Sequence, residues 1–196
     1  MSDFEDIDFD EAVDIEDGSE AAPEPDEVGF KEYLNKNYDM SRDTLYQLIF
    51  GDDSAFYLDY VKGRKSSDIS VEKWKTEDGK EKRIVSYRYH IKKKEKKASH
   101  VTELQTRDPR KDSSNCNIVE NEVRNKGVLY ADNFHILERW TITDVNNSKC
   151  NISVHAEIKF HKVNKVIKSI IKKKIRSGFK DAYAVLDSLL LEQMKQ

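Results

Sequence analysis

The sequence predicts an α+β domain, and three features of its residue pattern lead to that expectation. Apolar and polar residues alternate along six segments between residues 69 and 162, as they do in strands that bury one face. Turn sequences such as Asp78-Gly79 and Asn146-Asn147 separate these segments. After residue 162, apolar residues recur every three or four positions, which is the period of a helix.

Two short helices are expected ahead of the strands. Ser41 or Asp43 can accept hydrogen bonds from the free N–H groups of a first helical turn, and Gly51 ends that helix. The second helix starts after a cap within residues 52–54 and ends at Gly63.

The alternating segments define six candidate strands. These are Ile69–Lys75, Arg83–Ile91, His100–Arg107, Asn117–Arg124, Phe134–Thr143 and Asn151–Lys162. The helix that follows covers about residues 165–195, and Gly178 within it marks a bend or a close approach of another part of the backbone. Because this helix is too long for an ordinary surface element, we expect a curved antiparallel sheet to wrap around it. That architecture is the helix-grip arrangement.

Charge is distributed unevenly along the chain. Residues 1–27 contain 13 acidic residues and no lysine or arginine, which leaves 24 acidic against 34 basic residues in the remainder. The acidic stretch has neither a helix nor a strand period, so residues 1–36 are predicted to be a disordered tail and residues 37–196 the folded domain. A folded part with a balance of +10 favours anionic partners, either a membrane surface or nucleic acid.

The sequence predicts a cytoplasmic protein. No segment approaches 18 uncharged apolar residues, and the N-terminus is acidic, so neither a transmembrane helix nor a signal peptide is expected. The two cysteines, Cys116 and Cys150, form no CxxC pattern and are expected to be reduced thiols in that compartment.

Patterns of catalysis or metal binding do not emerge from the sequence. The five histidines show neither HxxxH nor HExxH spacing, and no Cys/His ligand set is present. His135, His155 and His161 fall in the strand phase opposite to the apolar residues, where solvated side chains belong. Glu120 and Glu122 share one strand face, as charges on an outer face commonly do. We therefore expect a protein that is not an enzyme and uses no metal or cofactor.

Four segments carry a resemblance to a known family. They are Leu45–Ser54 with Phe56 and Trp74, Arg83–Tyr87 with Val101–Glu103, Gly127–Phe134 leading into Arg139-Trp140, and Val154–Lys162. In this order they resemble the VASt domain, a StART-like family of sterol carriers. Leu129 stands where that family usually has a proline, and the segment 92–97 is rich in lysine where the family's loop is partly apolar.

The resemblance implies a lipid cavity between the sheet and the long helix, and a non-enzymatic function in sterol binding and transfer between membranes. The polar candidates for a sterol hydroxyl are Ser86, Thr102 and Gln105. The apolar candidates for the cavity wall are Phe134, Ile136, Trp140, Ile170 and Phe179. The same apolar residues can instead fill a solid core, so an interaction or regulatory module without a cavity is the first alternative, and a nucleic-acid binder is the second.

Two clusters of lysines are the candidates for docking on anionic membranes. They are Lys92, Lys93, Lys94, Lys96 and Lys97, and Lys172, Lys173 and Lys174. Each basic residue near an anionic leaflet contributes about 1 kcal/mol, so several together give measurable attraction. Nucleic acid would use the same charges but would add stacking aromatic residues, and only Tyr87 and Tyr89 lie near the first cluster in sequence. We therefore expect no nucleic acid partner.

The acidic tail contains a candidate receptor-binding motif. The segment Asp8–Asp14 resembles a degenerate FFAT motif, by which lipid carriers dock on VAP receptors of the endoplasmic reticulum. Phe9 and Ala12 would occupy the receptor pockets, and the surrounding acids would steer the segment to a basic receptor face. Two alternatives remain open, an inert acidic tail or one that folds back on the domain's own lysines.

Overall fold

A computed structural model describes residues 29–90, 98–112 and 115–195, and the elements below refer to these residues. Eight strands are present, β1 Lys31–Tyr38, β2 Ser66–Val71, β3 Lys75–Glu77, β4 Lys80–His90, β5 Ala98–Arg107, β6 Cys116–Lys126, β7 Phe134–Asn146 and β8 Lys149–Phe160. The α-helices are α1 Arg42–Phe50, α2 Ala55–Gly63 and α3 Lys165–Gln193. The predicted helix-grip fold is confirmed, with two short helices, an antiparallel sheet and a long C-terminal helix.

The strands form one antiparallel sheet in the order β1-β8-β7-β6-β5-β4-β2, and β3 extends the sheet beside β4. Alternation of buried and exposed residues follows the prediction, since Val85 and Tyr87 on β4 face inward while Ile84 faces outward. On β8, Ile152 and Val154 are fully buried. We call the buried side of the sheet, which packs against the helices, the inner face.

Side-chain caps fix the start of all three α-helices. Ser41 Oγ accepts a hydrogen bond from the amide of Thr44, and Ser54 Oγ accepts one from the amide of Tyr57. Ser41 rather than Asp43 is therefore the first cap. Asn164 caps α3 in the same way.

Glycines have different roles at three helical positions. A Cβ atom at Gly63 would lie 2.6 Å from Val185 Cγ1, so this glycine lets α2 approach α3 closely. A Cβ atom at Gly51 would collide with the carbonyl oxygen of Gln47. At Gly178 no atom of the described residues lies within 4 Å of that position, so the close approach, one of the two alternatives predicted there, is wrong.

Strand β1 lies at one edge of the sheet and pairs with β8. It covers Lys31–Tyr38, so the sheet includes residues on the N-terminal side of the boundary drawn at residue 37. The sequence of this strand does not alternate regularly, because Lys36 and Asn35 are polar and the register shifts between Glu32 and Leu34.

Helix α3 is buried much more in its C-terminal half than in its N-terminal half. Leu186 and Leu190 are fully buried, whereas Val166 in the first turn is 70% exposed. Asp187 ties the buried half to β1, since its carboxylate accepts hydrogen bonds from Lys36 Nζ and Tyr38 Oη.

Four connections lie at one end of the sheet, which we call the loop end. They are the α2–β2 connection, the β4–β5 connection, the β6–β7 connection with its short 3-10 helix at Ala131–Asn133, and the β8–α3 connection. The amide of His161 donates to the carbonyl oxygen of Asn133 at 2.7 Å and joins the last two connections.

Candidate functional site

A row of polar side chains crosses the inner face of the sheet. The strand register pairs Arg83 on β4 with Gln105 on β5, Gln105 with Asn121 on β6, and Asn121 with Glu138 on β7. Glu103 lies beside this row on β5. All five residues are at most 8% exposed. Because burying a polar group without a hydrogen bond is costly, each of them needs partners within the protein.

The Glu103 carboxylate is the centre of the hydrogen-bond network. Its Oε1 accepts from Tyr87 Oη at 2.7 Å, and its Oε2 accepts from Tyr57 Oη at 3.1 Å and Asn121 Nδ2 at 3.1 Å. An Arg64 guanidinium nitrogen lies 3.6 Å from Oε1 and supplies a positive charge. Burial and the nearby carboxylate raise the pKa of Tyr57 and Tyr87, so both hydroxyls remain donors.

Glu138 holds a second buried carboxylate. Its Oε2 accepts from Asn121 Nδ2 at 3.0 Å and from Trp140 Nε1 at 3.0 Å, and its Oε1 lies 3.4 Å from Tyr183 Oη on α3. Burial, with the charge of Glu103 adding to it, raises the pKa of Glu138. The network therefore connects the middle of the sheet to the long helix.

The Asn121 amide bridges the two carboxylates through its nitrogen, while its oxygen accepts no hydrogen bond from the described residues. Its nitrogen donates to both Glu103 and Glu138, which uses the two amide hydrogens. Its Oδ1 is buried and has no hydrogen-bond partner among the described residues. Such an acceptor is unusual in a protein interior, where nearly all buried polar atoms are paired.

Arg83 lies at the other end of the row of polar side chains. Its Nε donates to Gln105 Oε1 at 2.8 Å, and its other nitrogens lie 3.3 Å and 3.5 Å from the carbonyl oxygens of Gly51 and Ile49 at the end of α1. The guanidinium also lies over the Trp74 ring at 4.7 Å. Burial lowers the pKa of Arg83. This residue therefore fixes α1 against the sheet.

Aromatic rings occupy the space between the sheet and α3. Trp140 contacts Tyr183 edge to face at 5.7 Å, and Tyr183 stacks on Phe179 at 5.9 Å. Phe179 in turn contacts Tyr33 on β1 at 4.5 Å, and Trp140 contacts Phe50 on α1 at 5.7 Å. These rings and the polar row form one continuous interior, apolar along α3 and polar over β4–β7.

The structure brings most of the predicted cavity residues to this interior. Gln105, Ile136, Trp140 and Phe179 are buried on the inner side, while Phe134 and Ile170 are half-buried.

Ser86 and Thr102 require a correction. They lie on the outer face of the sheet, because the strand phase that buries Val85 and Val101 points their neighbours away from the helices. Their hydroxyl groups therefore cannot reach a ligand in the interior.

Sequence reasoning missed the two carboxylates and the asparagine of the row. A signal was present for two of them, since Asn121 lies between Val119 and Val123, and Glu138 between Ile136 and Trp140, in the inward phase of their strands. A polar residue in the phase of a buried strand face is a candidate for an interior hydrogen-bond network.

The predicted docking lysines fall into two groups. The residues Lys92, Lys93, Lys94, Lys96 and Lys97, like Phe9 and Ala12, lie outside the described residues. On α3, Lys173 and Lys174 are exposed and Lys172 is half-buried. Val166 on the first turn of α3 and Leu129, which is 44% exposed, add apolar side chains at the loop end.

The described residues offer no site for a metal ion. Within residues 29–90, 98–112 and 115–195, no three His, Cys, Asp or Glu side chains cluster as metal ligands. In the same ranges no helix is both long and apolar enough to span a bilayer.

An antiparallel sheet wrapped around one long C-terminal helix defines the helix-grip class of proteins. A solved structure of this kind is the Zhui aromatase/cyclase from Streptomyces sp. R1128, with a TM-score of 0.56 and 9% sequence identity. The match covers 85% of this chain and 93% of that one, and at this identity it shows the fold alone.

The sequence places the chain in a family within that class. Residues 32–178 match the VAD1 Analog of StAR-related lipid transfer domain, and the chain belongs to this VASt family. The predicted family is thereby confirmed. The chain is 30% identical to human Aster-B over 97% of its own length and 30% identical to mouse Aster-A over 92%. It spans about a quarter of the length of these relatives.

Proposed function

We propose that this chain binds a neutral lipid carrying a hydroxyl group, with a sterol as the first candidate, and transfers it between membranes without catalysis. The observation that carries the proposal is Asn121 Oδ1, a buried acceptor without a partner among the described residues. A lipid hydroxyl donating to this atom would satisfy it and recover about 1–3 kcal/mol. Membership of a lipid-transfer family supports the same ligand class.

The charges around Asn121 define which headgroup is accepted. The Glu103 and Glu138 carboxylates lie on either side of the amide, so a phosphate or carboxylate ligand would be repelled. A neutral hydroxyl donates a proton and carries no charge, so it fits between them. The apolar body of the ligand would then lie along Ile136, Trp140 and Phe179 on the inner side.

The hydrophobic effect supplies most of the binding energy in this proposal. A sterol buries several hundred Å² of apolar surface, which at roughly 25 cal/mol per Å² gives on the order of 10 kcal/mol before any cost is subtracted. Part of this energy would be spent on displacing the aromatic rings that now fill the interior.

The N-terminal half of α3 is the part of the wall that would move to admit the ligand. Among residues 165–178 only Ile171 is buried, whereas the C-terminal half is held by Leu186, Leu190 and the Asp187 contacts to β1. Outward movement of the first half would open the interior toward the loop end, where Leu129 and Val166 are exposed.

A fluorescent sterol tests the proposal directly. Protein is incubated with phosphatidylcholine vesicles that contain dehydroergosterol, the vesicles are pelleted, and the sterol in the supernatant is measured. We expect uptake approaching one sterol per protein. Asn121→Ala lowers the uptake several-fold, whereas Asn151→Ala, an asparagine that bonds to Asn35 and Asn37 on the outer side, does not.

A filled-core interaction module is the second candidate, and the contacts among Trp140, Tyr183 and Phe179 favour it. The vesicle experiment separates the two functions. Failure to take up sterol, together with failure to extract phospholipid, refutes the carrier function and leaves the interaction module. Thermal unfolding of each variant shows whether a loss of uptake reflects a loss of folding.

Membrane docking is proposed to use the two lysine clusters. Lys173 and Lys174 are exposed on the N-terminal half of α3, and the segment with five lysines follows in the sequence after β4, which ends at the loop end. The protein would then act in the cytoplasm as a peripheral protein at the endoplasmic reticulum or at plasma membrane contact sites. Attraction to anionic leaflets falls with salt, because exposed charges are screened within about 8 Å at physiological ionic strength.

A receptor on the endoplasmic reticulum is proposed as the second means of targeting. The segment around Phe9 and Ala12 supplies the acidic motif. A peptide of residues 1–20 is titrated with the purified receptor domain, and Phe9→Ala is expected to abolish binding. Equal binding of both peptides would leave only general charge attraction.

A further inference from the structure

The outer face of the β4–β5 hairpin carries a depression that is separate from the interior site. Its volume is about 380 Å³, and its polar lining consists of Asp68, Ser86, Arg88, His100 and Thr102. The strand register places Ser86 opposite Thr102 and Arg88 opposite His100. Two hydroxyls, a guanidinium and an imidazole therefore form a square of donors on adjacent strands.

Arg88 lines this depression, and its side chain has one donor without a partner among the described residues. Its Nε is buried and has no hydrogen-bond partner among the described residues. A guanidinium nitrogen is a donor only, so it can be satisfied only by an acceptor, and an anion is the strongest acceptor. The arrangement is thus incomplete in the protein alone.

Asp68 is the competing anion at this position. Its carboxylate lies 3.6 Å from Arg88 Nη1, and the Asp68 side chain is 66% exposed. An exposed pair at that distance is weak, because water screens it and the side chain must be held in place. A phosphate dianion, which offers two oxygens to one guanidinium, would displace it.

Positive charge continues onto the next strand. Thr102 is opposite Arg124 on β6, and His100 is opposite Lys126. Arg124 pairs with Glu122, while Lys126 is exposed. Since neighbouring strands lie about 4.8 Å apart, the row from Arg88 to Lys126 spans about 10 Å, enough for more than one phosphate group.

We propose that this depression binds a phosphomonoester group, and that Arg88 holds it together with the hydroxyls of Ser86 and Thr102. The group can belong to a phosphorylated inositol lipid headgroup or to a soluble phosphate compound. Arg88 and His100 lie close to the ends of β4 and β5 at the loop end. The site therefore lies beside the surface proposed to face the membrane. Binding here does not depend on the interior site.

Calorimetric titration with inositol trisphosphate tests the site, with unphosphorylated inositol as the reference ligand. We expect the trisphosphate to bind and inositol not to bind. Arg88→Gln weakens the affinity about tenfold, as expected for a lost charge-assisted contact. Thr102→Val weakens it less, because a neutral hydrogen bond is lost.

Arg139→Gln is the matched control. Arg139 also lies on the outer face, on β7, where it pairs with Glu120, and its substitution removes the same charge. We expect this variant to retain the affinity within about twofold, since Arg139 pairs with Glu120 and lies over the Phe30 ring, and neither residue lines the depression. Equal losses in both variants would show general charge attraction and overturn the proposal, as would absence of trisphosphate binding by the unaltered protein.

Vesicles distinguish the two sources of the phosphate. Phosphatidylcholine vesicles are prepared with either a singly phosphorylated phosphatidylinositol or phosphatidylserine at equal total charge. If the protein prefers the phosphoinositide vesicles and Arg88→Gln removes this preference, the lipid headgroup is the source of the phosphate. Binding of the soluble trisphosphate without that preference identifies a free phosphate compound. Sterol uptake by Arg88→Gln is expected to be unchanged, so this proposal and the carrier function can fail separately.

Discussion

Replacing Asp187 by alanine should destabilise the chain more than any other single change to an acidic residue on α3. The Asp187 carboxylate accepts hydrogen bonds from Lys36 Nζ at 2.6 Å and 2.8 Å and from Tyr38 Oη at 2.7 Å. These contacts join the C-terminal half of α3 to the edge strand β1.

The expected loss follows from the burial of Tyr38. Removing a charge-assisted hydrogen bond costs about 1.5–3 kcal/mol, and leaving a buried hydroxyl without a partner adds about 1–3 kcal/mol. Tyr38 is 1% exposed but its partner Asp187 is 28% exposed, so water would replace part of the lost contact and the total lies toward the lower end of these ranges. A total of about 3 kcal/mol corresponds to a fall in Tm of roughly 6–12 °C for a domain of this size.

Urea denaturation of Asp187→Ala and Asp181→Ala measures the effect. Asp181 is an exposed acidic residue on the same helix and is the matched control, with an expected change below about 0.5 kcal/mol. Tyr38→Phe, alone and combined with Asp187→Ala, completes a double-mutant cycle. A loss for Asp187→Ala no larger than that for Asp181→Ala would refute the assigned role of this contact.

The pH dependence gives a second readout of the same contact. Burial opposes ionisation of Asp187, but the hydrogen bonds from Lys36 and Tyr38 outweigh it and lower the pKa of the carboxyl. Its stabilisation is therefore present above the unfolded-state value of about 3.9 and is lost as the pH falls through the lower folded-state value. The difference between wild type and Asp187→Ala should shrink in acid.

Three further changes have defined outcomes. Gly178→Ala should raise the free energy of unfolding in urea by about 1 kcal/mol, because nothing obstructs a Cβ there and alanine favours a helix; destabilisation would refute this. The free energy of unfolding of Glu138→Gln should increase relative to that of wild type as the pH rises above about 4.3, because the raised pKa of Glu138 makes its ionisation costly in the folded state. A difference in free energy of unfolding that does not vary with pH would contradict this prediction. Alanine at all five lysines of residues 92–97 should weaken sedimentation with phosphatidylserine vesicles and reduce its salt dependence, whereas salt-insensitive binding of wild type would indicate apolar insertion.

The strands of the sheet could be predicted from the sequence because one face is buried and the other is not. The alternation through Ile152, Val154 and Ala156 on β8 is a direct consequence of that difference. Strand β1 was not predicted, because Lys36 is polar but points toward the inner side, where its ammonium group contacts Asp187. A long charged side chain on an edge strand can bury its apolar stem and still place its charged group on a partner, so such a strand need not alternate apolar and polar residues.

The interior polar row could not be predicted from single strands. Asn121 and Glu138 become neighbours only through the pairing of β6 with β7, and Gln105 joins them only through the pairing of β5 with β6. Those registers depend on the β5–β6 and β6–β7 connections, which span residues 108–115 and 127–133 and are too long to be two-residue hairpin turns of defined type. The outward phase of Ser86 and Thr102, in contrast, was readable from the apolar residues next to them, Val85 and Tyr87 beside Ser86 and Val101 beside Thr102.

The two faces of the β4–β5 hairpin differ in charge, since the inner face carries both Arg83 and Glu103 whereas the outer face carries Arg88, and this difference bears on the selectivity of the proposed carrier. Glu103 points inward, while Arg88 and His100 lie on the outer face. An anionic headgroup is attracted to the outer face and repelled by the carboxylates inside, whereas a neutral hydroxyl lipid experiences neither force. A protein built in this way can dock on an anionic membrane without drawing the abundant anionic lipids into its interior. Selectivity for the cargo then follows from the alternation of side chains along two strands, because consecutive residues face opposite sides of the sheet.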